Sequence, residues 1–194
     1  MDSHTTHPKH VVALEGYLSD DAEHRLSMGP LLEFLKLRDK TRYVTLTSAS
    51  VEEFRFSLEV AKTVRKGGIL FLSFHGFRGG IHLTTQKVTM EEISSWLGPK
   101  FGKRKNWIIF FHSCTTVNIP KERIQEFMAN TGIQAVIGFK RRVDFVDAAA
   151  IDLLLLDWLQ FYVNVPRLWS RFRRLYKDLV KITGLEVYHN GHRT

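Results

Sequence analysis

Residues 69–74, Ile-Leu-Phe-Leu-Ser-Phe, form a nearly continuous apolar run that leads directly into His75 and Gly76. A second run, Trp-Ile-Ile-Phe-Phe at residues 107–111, leads in the same way into His112, Ser113 and Cys114. Uninterrupted apolar runs of this length are typical of parallel strands that are covered on both faces. In an open parallel sheet, reactive groups collect just past the carboxyl ends of the strands. The two runs therefore predict a buried sheet with reactive side chains at one rim.

Helical segments alternate with further strands along the rest of the chain. Ser50 and Glu53 have the spacing of a capping box at the start of a helix, and Thr89 and Glu92 repeat it. Two helices are predicted after the last strand, and residues 167–182 are amphipathic. Strands separated by helices predict an α/β fold, a three-layer sandwich around a mainly parallel central sheet. Further strand-like runs cover residues 11–14, 43–47 and 133–139.

Composition and length favour one folding unit. The chain has 194 residues, of which 44% are hydrophobic, and it shows no internal repeat or linker-like segment. We therefore expect a single domain over residues 1–194, with a basic amphipathic helix and tail at residues 167–194. The apolar segment 145–163 is interrupted by three aspartates, which indicates a core helix and no membrane span.

The N-terminal residues and the cysteine content bear on the compartment. Residues 1–4 show neither the basic region nor the apolar region of a secretory signal. A single cysteine cannot form an internal disulfide, which fits a reducing environment. We expect a cytoplasmic protein.

The net charge of +8 is high for this length. Lysine and arginine crowd residues 100–105, 140–142 and 167–181. Such charge suits an acidic partner, nucleic acid or an anionic membrane surface. A solvated surface explains it equally simply, and we favour that interpretation over a nucleic-acid site.

His75 and Cys114 follow two apolar strands at equivalent positions. Taken singly, the cysteine would be interpreted as a small buried hydrophobe and the histidine as a hydrogen-bonded surface residue. Together they favour a dyad, because an imidazole can take the proton of a thiol and create the nucleophilic thiolate. Gly76 would let the backbone approach a substrate closely, and its N–H and that of Cys114 could hold an oxyanion.

The motif order resembles the caspase-like cysteine peptidases, and most closely their CHAT branch, which is related to separase. The resemblance covers about residues 66–162, half of the chain. It implies hydrolysis of peptide bonds through a thioester, with Cys114 as nucleophile, His75 as base and Gly76 in the oxyanion hole. It implies no metal and no organic cofactor. The segments that carry it are 70–76, 81–97, 108–114, 132–138 and 143–158.

The resemblance also implies latency and a substrate pocket. Such enzymes await a partner, a ligand or processing, and a bacterial stress or antiviral setting is typical of them. His112 occupies a position where relatives often carry Asp or Gln lining the S1 pocket, so we assign His112 and Ser113 to substrate binding. Thr115 and Thr116 stand where a small residue and glycine are commoner. Both departures affect specificity more than chemistry.

The sequence leaves specificity open. Asp144 and Asp147 could bind a basic side chain before the cleaved bond, whereas residues 140–142, Lys-Arg-Arg, could accept an acidic one. Two groups of histidines near the ends of the chain do not form a metal site, because each group lacks the closing ligands that zinc needs. They are His4, His7 and His10 at one end and His189 and His192 at the other.

The prediction is a cysteine endopeptidase that cleaves one or a few protein targets and is controlled by a regulatory protein partner or by processing. An interaction module of the same fold without catalysis is the main alternative. A basic nucleic-acid-binding α/β domain is a further one.

Overall fold

The computed structural model describes residues 9–18, 26–39, 41–64, 67–102 and 106–189. The N-terminal residues 1–4, His7, His192 and residues 103–105 of one basic stretch lie outside the described residues. The elements in chain order are β1 (His10–Glu15), α1 (Gly29–Asp39), β2 (Tyr43–Thr47), α2 (Val51–Lys62), β3 (Gly68–Ser73), β4 (His75–Phe77), β5 (Gly80–His82), β6 (Lys87–Thr89), α3 (Met90–Leu97), β7 (Ile108–His112), α4 (Lys121–Thr131), β8 (Ala135–Phe139), α5 (Phe145–Phe161), α6 (Val165–Leu175), α7 (Lys177–Thr183) and β9 (Leu185–His189).

The central sheet has the strand order β2-β1-β3-β7-β8-β9. All its neighbouring pairs are parallel except β8 and β9, which are antiparallel. Strands β3 and β7 are direct neighbours, with Ser73 opposite His112. The two apolar runs that the sequence singled out therefore lie side by side and end at the same rim.

Side chains of β3 alternate between two hydrophobic layers, as the period of a strand requires. Leu70 and Leu72 join one buried cluster, and Ile69 and Phe71 join the other. Helices α2, α3 and α4 cover the first face, and α1, α5 and α6 cover the second. The structure thus confirms the predicted three-layer α/β sandwich.

The predicted helix starts are confirmed by their caps. The Ser50 side chain accepts from the backbone N–H of Glu53, and the Glu53 carboxylate accepts from that of Ser50. Thr89 and Glu92 form the same reciprocal pair before α3. These bonds satisfy N–H groups that have no partner inside the helix, which is why the spacing predicts the boundary well.

A second, small sheet carries the segment after β3. Strands β4, β5 and β6 pair antiparallel in that order, and β4 begins at His75. His75 lies opposite His82 across this pair. The chain from His75 to Thr89 therefore forms a three-stranded meander that holds His75 at the rim of the main sheet.

The C-terminal region differs from its prediction. The amphipathic stretch 167–182 is two helices, α6 and α7, separated at Tyr176, whose φ of −109° and ψ of 37° are not helical. Gly184 then takes a left-handed conformation with φ of 64°, and β9 follows instead of an unpaired tail. Among the described residues, no helix is both long and apolar enough to span a bilayer.

Candidate active site

Two neighbouring strand ends bring His75 and Cys114 to one place. Phe74, directly before His75, donates its N–H to the carbonyl oxygen of His112 at 3.2 Å. Cys114 follows two residues after His112, where β7 ends. Both side chains line the same cavity of about 130 Å³ at the carboxyl rim of the sheet. His75 and Cys114 therefore lie at the same rim of the sheet, as the two apolar runs predict.

Gly76 lies directly against the backbone of Cys114. A Cβ added to Gly76 would stand 2.2 Å from the carbonyl oxygen of Cys114 and 2.9 Å from its nitrogen. It would also stand 2.7 Å from the Oγ1 of Thr116. Only glycine allows this approach, because real Cβ atoms do not come so near to backbone atoms. The His75–Gly76 segment is thereby held beside the cysteine.

The thiol of Cys114 contacts the backbone of the segment before α5. The Val143 N–H donates to Sγ at 3.4 Å, and Sγ donates to the Val143 carbonyl oxygen at 3.8 Å. Cys114 is half-buried and unpaired with any other cysteine, whereas His75 is exposed. Within the described residues, no hydrogen bond joins His75 to Cys114. The two groups share a cavity without touching.

The residue after the nucleophile candidate has an unusual backbone. Thr115 has a φ of 62°, in the left-handed region that β-branched residues rarely occupy. Its N–H donates to the carbonyl oxygen of Arg141 at 3.3 Å, and its own carbonyl accepts from Asn118 at 2.9 Å. The turn therefore presents Cys114 at the end of β7 through a strained conformation that neighbouring backbone bonds hold in place.

His112 forms a buried pair with Asp152 of α5. The Nδ1 atom of His112 contacts the Oδ2 atom of Asp152, and the two residues are 6% and 0% exposed. The His112 ring stacks on Phe71, with centroids 5.5 Å apart, and packs edge-on against Phe139 and Phe145. Burial raises the pKa of the Asp152 carboxyl, and the nearby imidazole only partly offsets that rise. His112 lines the cavity, whereas Asp152 lies behind it.

Sequence reasoning did not assign Asp152 to the site. Its signal was present, because a charged residue interrupts an otherwise apolar helix at this position. A fully buried carboxylate needs a partner, so such an interruption on the core face indicates a polar contact. Only the packing of α5 against the sheet identifies His112 as that partner.

The other predicted substrate-binding residues divide between the cavity and its surroundings. Ser113 lines the cavity, and its hydroxyl bonds the hydroxyl of Thr116 at 2.7 Å. Asp144 and Asp147 do not line it. Asp144 is exposed and accepts from the Val146 N–H at 2.8 Å as the N-cap of α5. No residue of the basic segment 140–142 lines the cavity either.

Apolar side chains complete the wall of the cavity. They are Leu18, Leu26, Phe74, Phe139, Val143, Phe145 and Ala148. The described part of the chain contains no group of three or more His, Cys, Asp or Glu side chains placed to hold a metal ion. Among the described residues, the polar side chains that line this cavity are one thiol, two imidazoles and one hydroxyl, those of Cys114, His75, His112 and Ser113.

A solved structure of another protein has a fold similar to that of this chain. A secreted C11 cysteine protease from Bacteroides thetaiotaomicron, solved in complex with an irreversible peptide inhibitor, has a similar structure with a TM-score of 0.59. The two chains are 11% identical, and the match covers 93% of this chain and 66% of that protease, just under two thirds of its length. At this identity the similarity shows the fold alone.

Sequence comparison gives the family. No curated protein sequence matches the chain. The profile of DUF6642, described as a family of unknown function, matches residues 8–189. Because that match spans nearly the whole chain, the protein belongs to the DUF6642 family.

Proposed function

We propose that this protein is a cysteine endopeptidase of the caspase-like kind, with Cys114 as nucleophile and His75 as general base. The observation that carries the proposal is that both side chains line one cavity at the ends of adjacent parallel strands. The close approach of Gly76 to Cys114 supports it, because the approach fixes the histidine segment against the cysteine. The motif resemblance to the CHAT branch supports the same assignment.

The reaction follows from the groups at the cavity. His75 takes the Sγ proton, and the thiolate attacks the carbonyl carbon of the scissile peptide bond. The N–H groups of Gly76 and Cys114 are placed at the nucleophile and are our candidates for stabilising the oxyanion. The C–N bond then breaks as His75 returns the proton to the leaving amine. Water, deprotonated by His75, hydrolyses the thioester and frees Cys114.

Latency is part of the proposal. The thiol hydrogen-bonds the backbone of Val143 and not an imidazole, so the resting arrangement is not the reactive one. We infer that a protein partner or a processing event shifts the segment before α5 and brings His75 to the thiol. Catalytic hydrogen bonds are often long before substrate binds, so this geometry is compatible with catalysis.

The same observation favours a second candidate. An exposed His75 with no bond to Cys114 is also what an interaction module without catalysis would show. The two candidates differ in one respect. A peptidase must lose its cellular effect when either His75 or Cys114 is replaced, whereas a binding module tolerates both replacements as long as it stays folded.

Sequencing of newly formed protein N-termini in expressing cells tests the proposal. Wild-type protein is compared with Cys114→Ala, His75→Ala and the control His82→Ala, which changes the residue opposite His75 in the small sheet. We expect a small set of new N-termini that both dyad variants lose and the control retains. An identical set in all four samples would contradict the proposed peptidase and favour the interaction module.

A further inference from the structure

Strand β9 forms an open edge of the central sheet. It stands last in the strand order, so among the described residues only β8 pairs with it. The Lys140 N–H donates to the Gly184 carbonyl oxygen at 3.0 Å, which fixes the alternation of this antiparallel ladder. In that alternation the backbone groups of Val187 and His189 face away from β8. Within the described part of the chain no hydrogen bond reaches them, so β9 presents free donors and acceptors along its outer side.

The open edge lies in a groove of about 440 Å³. Helices α4 and α6 cover opposite faces of the sheet, so they stand on either side of the edge. Lys121 and Met128 line the groove from α4, and Trp169 and Arg173 line it from α6. Val187 lies between these two walls. The groove therefore suits a chain in extended conformation, which can bond the free backbone groups of β9 along its length.

The charges that line the groove are mainly positive. Its cations include Lys121, Lys140 and Arg173. Its one carboxylate is that of Glu186, which lies 3.8 Å from the Nζ atom of Lys140. Lys121 and Arg173 are exposed, and neither has an ion-pair partner within the described residues. Residues 190–194, Asn-Gly-His-Arg-Thr, follow β9 in the sequence and add no acidic side chain. Acidic side chains on a docked strand would supply the missing counter-charges.

A second copy of this chain complements the groove poorly. Two β9 edges paired across a two-fold axis would bring the same surface of each copy together. Lys121 and Arg173 of one copy would then approach the same cations of the other, and like charges would oppose the pairing. The charge of the groove favours a different protein with an acidic segment.

We propose that the groove along β9 is a docking site for an acidic segment of another protein, which pairs with the open edge as an additional strand. Backbone hydrogen bonds to Val187 and His189 hold the segment, and its carboxylates contact Lys121 and Arg173. This inference goes beyond the proposed function and does not depend on it, because neither His75 nor Cys114 lines the groove.

NMR titration of the isotopically labelled protein with three hexapeptides tests the site. The acidic probe is Glu-Val-Glu-Glu-Val-Glu, and a second probe has lysine in place of each glutamate. A third probe, Glu-Pro-Glu-Glu-Pro-Glu, keeps the charge but cannot pair as a regular strand, because proline has no N–H. We expect the acidic probe to shift the amide signals of Val187 and His189, and to bind about 10-fold or more tightly than either of the others.

Two results of this titration would overturn the inference. The first is no shift of the Val187 and His189 signals at up to about 1 mM of the acidic probe. The second is equal binding of the proline probe, because it would show attraction between charges without pairing of strands.

A charge reversal assigns the binding to the groove. Lys121→Glu with Arg173→Glu changes two exposed side chains that line it. This variant should lose about 10-fold or more in affinity for the acidic probe and should prefer the lysine probe. The matched control is Lys177→Glu with Lys181→Glu, which changes the net charge equally on α7, outside the groove. Unchanged affinity in the groove variant, or an equal loss in the control, would overturn the inference.

Hydrogen exchange of the Val187 amide distinguishes the two occupants. We expect this amide to exchange rapidly in the protein alone and about 10-fold or more slowly once the acidic probe has bound. Slow exchange in the protein alone that becomes slower as the protein concentration rises would assign the edge to a second copy and overturn the inference.

Discussion

Gly76 lies so near to Cys114 that a methyl group on its α-carbon would stand 2.2 Å from the Cys114 carbonyl oxygen. The contact joins the small sheet that begins with His75 to the turn that carries the thiol. Backbone lies on both sides of it, so no side chain can move away to make room. The geometry of the candidate dyad therefore depends on the absence of one Cβ atom.

Gly76→Ala should destabilise the fold and disturb the dyad. Overpacking against backbone costs about 1–3 kcal/mol, and urea unfolding measures that loss directly. Gly29→Ala is the control, since its new Cβ would meet only the Ser27 hydroxyl, at 3.2 Å, which is a side-chain atom and not backbone. Equal stability of the two variants would show that the approach of Gly76 to Cys114 is looser than described.

Thr115→Gly should raise the free energy of unfolding by up to about 1 kcal/mol. The left-handed backbone at φ of 62° strains a β-branched residue, and glycine adopts it freely, although glycine also gains entropy in the unfolded chain. Thr116→Gly provides the contrast, because Thr116 is fully buried and its hydroxyl donates to the Gly80 carbonyl oxygen at 2.9 Å. Urea unfolding of both should give changes of opposite sign, and a loss in Thr115→Gly would contradict the strain at this turn.

Lys9 should make stability depend on alkaline pH. Its Nζ atom donates to the carbonyl oxygens of Leu159 and Tyr162, and burial lowers its pKa from 10.5 to about 8. Between these two values the unfolded chain binds more protons than the folded one, so stability rises with pH. The gain reaches about 3 kcal/mol at most.

Lys9→Met isolates this contribution from the other groups that titrate in the same range. The unfolding free energy of the wild type minus that of the variant should increase from pH 8 to pH 10.5. A difference that stays constant across that range would mean that Lys9 is solvated in the folded protein.

Removing one member of the His112–Asp152 pair should destabilise the protein more than removing both members. His112→Phe alone leaves a buried carboxyl without a partner and should cost about 3–5 kcal/mol at neutral pH. Adding Asp152→Ala should recover much of that loss, because the unpartnered group is gone. Urea unfolding of both variants makes the comparison, and a double variant less stable than the single one would contradict it.

The loss of unfolding free energy caused by His112→Phe should also depend on pH. Burial raises the pKa of Asp152, so the folded protein binds this proton more tightly than the unfolded chain does. Stability from this group therefore falls as pH rises above the unfolded value of about 3.9. The unfolding free energy of His112→Phe should therefore lie closer to that of the wild type at about pH 5 than at about pH 8.

The central strands could be predicted because each is a continuous apolar run that must be covered on both faces. The candidate dyad followed from the same runs, since a parallel sheet brings the ends of neighbouring strands together. The division of residues 167–182 at Tyr176 could not be predicted, because the amphipathic pattern continues across the break. Strand β9 is held by its pairing with β8. Such a contact between distant parts of the chain cannot be predicted from the short sequence of the strand.

The partners of the site were harder to predict than the position of Cys114 at the rim of the sheet. Asp144 and Asp147 follow the β8 strand closely in sequence, yet they belong to the start of α5 and lie outside the cavity. Asp152 is five residues further along and reaches His112 only because α5 packs across the sheet. Distances between a helix face and a strand end depend on that packing, which no local pattern encodes.

The rate of Cys114 alkylation by iodoacetamide at about pH 6.5 is the most direct test of the dyad, because only the thiolate reacts and an ordinary thiol is scarcely ionised there. The wild-type protein, His75→Ala and the control His82→Ala are compared under native conditions, with any activating partner absent and then present as cell extract. With the activating partner present, the account predicts fast alkylation that falls about 10-fold or more in His75→Ala and is unchanged in His82→Ala. Slow alkylation that is the same in all three proteins under both conditions would contradict a Cys114–His75 dyad.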